Sequence, residues 1–149
     1  MKHLFISLIF ILAGNFLTAQ EVPVKWSFAA EKVSEQEYDL VITADIDQGW
    51  SVYSQYLEND DGPIKTTFEF KASGNMELIG KTAESGNKKE SYDEIFAMNL
   101  IKFSKQAIFT QRVKVVNLSE PVSGFLTYMT CDNTSCLPPT DVNFSIPLR

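Results

Sequence analysis

Gly124-Phe-Leu-Thr-Tyr-Met-Thr-Cys-Asp-Asn-Thr-Ser-Cys-Leu-Pro-Pro-Thr-Asp141 is the stretch on which the reading of the whole chain turns. Phe125 to Thr130 is aromatic and β-branched, the composition of a strand. Asp132 to Ser135 are turn formers, and Pro138 with Pro139 stops any regular element just after them. The chain's only cysteines, Cys131 and Cys136, therefore sit on a tight loop at a strand end. Four residues separate them.

The rest of the chain has the same grain. Val22, Val24, Trp26 and Phe28 alternate along Val22–Ala29, with Pro23 suiting a strand start or an edge. Leu40, Ile42, Ala44 and Ile46 alternate along Tyr38–Ile46, and Asp47-Gln-Gly49 is a turn signal. Trp50–Tyr56 is short and aromatic, Glu58–Pro63 is an acidic turn, and Thr66–Phe70 and Met76–Ile79 read as short strands. Gly80–Asp93 is long, charged and irregular. Glu94–Ser104 and Ala107–Val116 read as a strand pair, the second with Ile108, Val113 and Val115 as core residues and a bulge between them, and Val142–Pro147 closes the chain with Val142, Phe144 and Ile146 on one face. No segment shows a helical period. Seven to nine short strands separated by turns give an all-β fold, a single β-sandwich domain.

The N-terminus differs from the rest. Lys2 and His3 precede an apolar run, Leu4–Ala13, and Ala19-Gln20 is a cleavage point, although Leu17 is larger than the usual residue at its place. The run is shorter than the roughly 18 residues needed to span a bilayer. The expectation is a cleaved signal peptide, residues 1–19, an exported domain, residues 20–149, and no membrane insertion afterwards. The chain carries a net charge of −6, which becomes −7 without Lys2. An acidic domain is a poor partner for nucleic acid or anionic membranes. Export also implies an oxidising compartment, where two cysteines can form a disulfide.

The one histidine, His3, lies in the leader. Its absence from the mature chain removes Cys–His and Ser–His–Asp nucleophiles and nearly all imidazole-bearing metal sites. Two cysteines are too few for structural zinc. Capture of a soft metal by the thiols with Met129 would need them reduced in an oxidising compartment. No metal and no cofactor are expected. A structural disulfide is the plain reading of the pair. However, so short a loop restricts the unfolded chain by only about 2 kcal/mol, against nearly 5 for a loop of about 100 residues, and a chain of this length can bury a core unaided. Thiol–disulfide chemistry and an inert staple both remain open from spacing alone.

A resemblance adds to this. Cys131-Asp-Asn-Thr-Ser-Cys136-Leu-Pro-Pro-Thr, after its strand, resembles the N-terminal periplasmic domain of the thiol:disulfide interchange protein DsbD, in which a Cys–loop–Cys is followed by an aromatic or apolar residue and Pro-Pro. Asp47-Gln-Gly-Trp-Ser-Val-Tyr53 is similar to that family's Asp-Gly-aromatic segment ending in Tyr. The loop between the cysteines is one residue shorter than in the best-known members. The resemblance implies an immunoglobulin-like sandwich in the periplasm. It also implies an electron carrier of the protein-disulfide reductase type, fed by a thioredoxin-like or DsbD-type membrane donor and emptied onto a periplasmic disulfide-bonded acceptor protein. It makes Cys136 the cysteine that joins partners and Cys131 the resolving one, with Tyr53 close by. It also implies a cap loop carrying an aromatic over the sulfurs, which falls here on Lys88–Glu94, with Glu90, Ser91 and Tyr92 as the candidate residues. The alternative is a non-catalytic binding or structural sandwich with an inert disulfide.

Overall fold

The computed structural model describes residues 22–58, 61–71, 75–94 and 96–148. The expected leader and its cleavage point lie outside the described residues. Nine strands are present among them and no helix: β1 (Val24–Lys32), β2 (Glu37–Ile46), β3 (Ser51–Tyr53), β4 (Thr67–Phe70), β5 (Met76–Asp93), β6 (Met98–Val115), β7 (Val122–Tyr128), β8 (Thr130–Cys131) and β9 (Thr140–Ile146).

They form two sheets, as the alternation predicts. The larger runs β1-β2-β6-β3-β8, with β5 on the other side of β6, and the smaller runs β4-β7-β9. All described pairings are antiparallel. Strand β2 lies between β1 and β6, with Leu40, Ile42, Ala44 and Ile46 buried on one face. The inner faces of the two sheets meet through aromatic rings. Phe109 of β6 lies 5.1 Å from Phe68 of β4, Phe28 of β1 lies 5.4 Å from Phe144 of β9, and Trp26 meets Tyr128 edge-on at 5.2 Å. Tilted and edge-on packing of this kind adds to the area term of burial.

Two readings of the sequence change. Gly80–Asp93 is not irregular: it belongs to β5, which pairs along the length of β6. Its alternation is hidden because neither face is covered: every residue of β5 is exposed or half-buried, so charge is allowed on both faces. The register shifts twice, between Ile79 and Ala83 and between Gly86 and Lys88. Gln111, buried opposite the first shift, satisfies it by donating to the Ile79 carbonyl and accepting from Thr82 Oγ1. At the second, Gly86 has φ +119, and a Cβ there would meet the Gln106 carbonyl at 2.4 Å. Lysines, glycines and bulges on a long edge are devices that discourage edge-to-edge pairing. The second change is that Glu94–Ser104 and Ala107–Val116 are not a pair. They are one strand, β6, kinked where Lys105 takes a φ of 64°. The bulge expected between Ile108 and Val113 is absent: β6 pairs with β2 in unbroken register from Gln106 to Lys114, and its buried side is Ala107, Phe109, Gln111, Val113 and Val115, so Ile108 lies on the other face.

The core is in two parts. The larger fills the space between the sheets. The smaller gathers Tyr53, Leu57, Met98, Leu100 and Cys131, with Phe96, Ile101 and Met129 packed against it. The connection from β3 to β4 contributes to this second cluster: Leu57 belongs to it, and a Cβ on Gly62 would touch Met98. Glu84 of β5 holds the start of that connection, accepting hydrogen bonds from Ser54 Oγ (2.6 Å) and the Gln55 N–H (2.7 Å).

Candidate functional site

The site is made by a chain that changes sheets. Strand β7 ends in the smaller sheet with Tyr128 paired to Thr140. Two residues on, β8 pairs with β3 in the larger sheet, Thr130 to Val52 and Cys131 to Ser51. The Thr130 hydroxyl donates to the Ser51 carbonyl at 2.9 Å. Met129 marks the crossing. This change of sheets carries Cys131 onto the small core, where it is 5% exposed. Cys136 returns opposite it as an antiparallel bridge and is exposed. The two form a disulfide, with Cα atoms 4.0 Å apart. One sulfur-bearing residue is rooted in the fold and the other is presented to solvent.

Asp132 shapes the loop between them. Its Oδ1 accepts from the Thr134 N–H (2.7 Å), the Ser135 N–H (2.6 Å) and the Thr134 hydroxyl (2.9 Å). Such side-chain to backbone bonds are why aspartate opens turns. The bonds from Thr134 and then Ser135 hold its carboxyl below the ordinary carboxylate value. A depressed folded pKa means that the loop bonds are fully present above the ordinary carboxylate value and are lost as pH falls through the lowered one, beneath it. Amide hydrogen exchange at Thr134 and Ser135 is therefore expected to quicken, relative to the intrinsic rate, on acidification from neutral pH to well below the ordinary carboxylate value. Asp132→Asn keeps the acceptor and should flatten that dependence, and Asp132→Ala should expose both amides at every pH. An unchanged exchange pattern in Asp132→Ala would show that the carboxylate does not hold the loop.

A cleft of about 290 Å³ opens beside the disulfide, lined by both cysteines, the loop between them, Tyr53, Asp93, Phe96 and Lys102. Tyr53 is buried and its phenol is pushed up to about 12, chiefly by desolvation and then by the negative charge of Asp93. At neutral pH it is a proton-bearing hydroxyl and not a base. Tyr53 and the cysteines are thus brought together as the motifs suggest. Glu90, Ser91 and Tyr92 are not among the residues lining this cleft. They sit within β5 opposite Ile101, Leu100 and Asn99, and Tyr92 is 62% exposed. The second aromatic in the cleft is Phe96, in the turn of the β5–β6 hairpin. The available signal was the short span from Asp93 to Met98, where the Asp93 carboxylate accepts from the Phe96 N–H (3.2 Å). Among the described residues no group of three or more metal-ligating side chains occurs.

Comparison with known proteins places this geometry. Two solved structures share the fold. The N-terminal domain of DsbD from Neisseria meningitidis, in its reduced form, is 21% identical with a TM-score of 0.57, over 84% of this chain and 85% of that one. The N-terminal periplasmic domain of ScsB from Proteus mirabilis is 17% identical with a TM-score of 0.56, over 84% of this chain and 45% of that one. This chain thus spans just under half of the ScsB structure. The comparison with curated proteins finds no match. The model for the N-terminal region of the thiol:disulfide interchange protein DsbD matches residues 16–147, nearly the whole length, and the chain accordingly belongs to the DsbD N-terminal domain family.

Proposed function

We propose that this protein is an exported thiol–disulfide exchange domain that relays electrons through the Cys131–Cys136 pair. The donor is a thioredoxin-like or DsbD-type membrane protein and the acceptor a disulfide-bonded protein of the periplasm. One observation carries the reading: the two sulfurs are unequal, with Cys136 exposed and Cys131 buried on its strand. A staple needs no such asymmetry, whereas a relay needs one sulfur that partners can reach and one held ready to release them. Family membership and the related periplasmic domains support the same reading. Cys136 joins the partner and Cys131 resolves. Tyr53 and Phe96 wall the cleft, and Phe96, two residues beyond the expected Lys88–Glu94 loop, takes the role of the cap aromatic.

Chemically, a donor thiolate attacks Sγ of Cys136, the Cys131–Cys136 bond breaks, and the electron pair leaves on Cys131. A second donor thiol then attacks its own sulfur in the mixed disulfide and frees Cys136. The donor ends as a disulfide and this chain as a dithiol. Handing the electrons on reverses these steps against an acceptor disulfide. Titration of the pair against dithiothreitol and glutathione tests the reading. A potential within about −120 to −270 mV, the span of exchange proteins, is expected. A value well below about −300 mV, typical of structural bridges, with both sulfurs inert in the folded protein, would leave a binding sandwich with a fixed staple.

A further inference from the structure

The sheet beside the disulfide carries a pair of like charges. Lys102 of β6 stands opposite Tyr53 of β3 on one side and opposite Lys89 of β5 on the other. Residues paired across a ladder share a face, and so do residues two apart along a strand. Tyr53 thus shares its face with Ser51, which pairs with Cys131. One face of the sheet bears Cys131, Tyr53, Lys102 and Lys89. Burial agrees, because Tyr53 and Cys131 meet Met98 and Leu100, the even positions of β6 that precede Lys102. Like charges directly opposite each other destabilise a sheet. Among the described residues, neither ammonium has a carboxylate in ion-pair contact. Lys102 is half-buried and lines the cleft with the sulfurs, whereas Lys89 is exposed and lies outside that lining.

Reduction brings a negative charge into this cleft. A donor thiolate bonds Sγ of Cys136, the bond to Cys131 breaks, and the electron pair leaves on Cys131. The charge passes from the donor to a sulfur rooted over the small core, where desolvation disfavours it. The titratable groups lining the cleft are Tyr53 from β3, Asp93 from the end of β5, Lys102 from β6 and Asp132 from the loop. The β3–β4 connection adds Leu57 to the same small core, which is apolar. The two carboxylates oppose a thiolate, and Asp132 Oδ1 is already engaged by the loop amides. Tyr53 can give a hydrogen bond but no charge. Lys102 is the cation of the lining. A neighbouring lysine lowers the pKa of a thiol, and a thiol of lower pKa leaves faster.

We propose that Lys102 is the charge-stabilising residue of the relay, its ammonium offsetting the thiolate that leaves on Cys131. Lys89, across the strand pair, repels that ammonium and favours its place on the cleft side. The proposal rests on the exchange reading above and adds what makes the buried sulfur a competent leaving group. The like-charge cost carried by the oxidised sheet is relieved when the thiolate arrives, so the reduced form gains by it.

Two measurements test this on Lys102→Met, Lys102→Gln and the charge-keeping Lys102→Arg. In the first, each is combined with Cys136→Ser, which leaves Cys131 as the single thiol, and its ionisation is followed by thiolate absorbance against pH. In the second, the disulfide forms are cleaved by mercaptoethanol at fixed thiolate concentration and high salt, which screens attraction of the attacking anion. Both neutral variants are expected to raise the Cys131 midpoint by about one pH unit or more and to slow cleavage about tenfold. Lys102→Arg should restore both. An unmoved midpoint in folded Lys102→Met or Lys102→Gln would overturn the role of Lys102 and leave the exchange reading standing. A disulfide that mercaptoethanol cleaves in no folded form, the unsubstituted protein included, would remove the exchange reading and this role with it.

Discussion

Cys131→Ser and Cys136→Ser are expected to behave oppositely, although both destroy the same disulfide. In Cys131→Ser the exposed Cys136 thiol remains, attacks an acceptor disulfide and stays joined to it, because nothing is left to resolve the intermediate. Mixed disulfides should accumulate and be visible on non-reducing gels. In Cys136→Ser the remaining cysteine, Cys131, is a residue buried in the disulfide form and rooted on β8 over the small core. It can react only when that end of the domain opens. Alkylation should be slower by about a hundredfold, equivalent to a local opening of roughly 2.7 kcal/mol, and no mixed disulfide should build up. Comparable alkylation rates for the two variants would remove the assignment of roles.

Gly124→Ala should be among the most damaging single-methyl additions in the domain. Gly124 lies mid-strand in β7, between β4 and β9, paired with Phe70 on one side and Phe144 on the other. A Cβ would stand 2.2 Å from the Glu69 carbonyl oxygen and 2.6 Å from the Phe144 ring. Neither neighbour can give way without moving a strand or breaking the Phe28–Phe144 and Phe70–Phe144 contacts. Overpacking of this kind costs about 3 kcal/mol, or a fall of roughly 10 °C in Tm for a domain of this size. Gly62→Ala is the control. Its Cβ meets the sulfur of Met98, the far end of a flexible side chain, so it should cost about 1 kcal/mol or less. Equal melting temperatures for the two variants would refute the steric argument.

The parts of the fold legible in the sequence are those where one face of a strand is buried and the other is wet. Leu40, Ile42, Ala44 and Ile46 show this on β2, and Phe144 and Ile146 on β9. Strand β5 was illegible because neither of its faces is buried, so charge falls on both, and its register shifts twice against β6. Val22, counted with the first strand's apolar face, lies outside β1 and is 63% exposed. Within the site, the cysteine loop and Tyr53 could be read because they are carried by short motifs that the fold places side by side. The aromatic of the cleft could not, since whether Tyr92 or Phe96 reaches the sulfurs depends on where the β5–β6 hairpin turns. The burial of Cys131 was equally hidden: it follows from a change of sheet at Met129, which composition does not record.

The division of the interior into two cores bears on how the molecule survives its own turnover. Among the described residues, Cys131 belongs to a satellite of five buried side chains, while the sandwich proper is held by nineteen others. Sulfur leaving and returning is expected to disturb the satellite and the connection lying over it first, with the larger interior as the chassis that keeps the chain folded while the redox end opens locally.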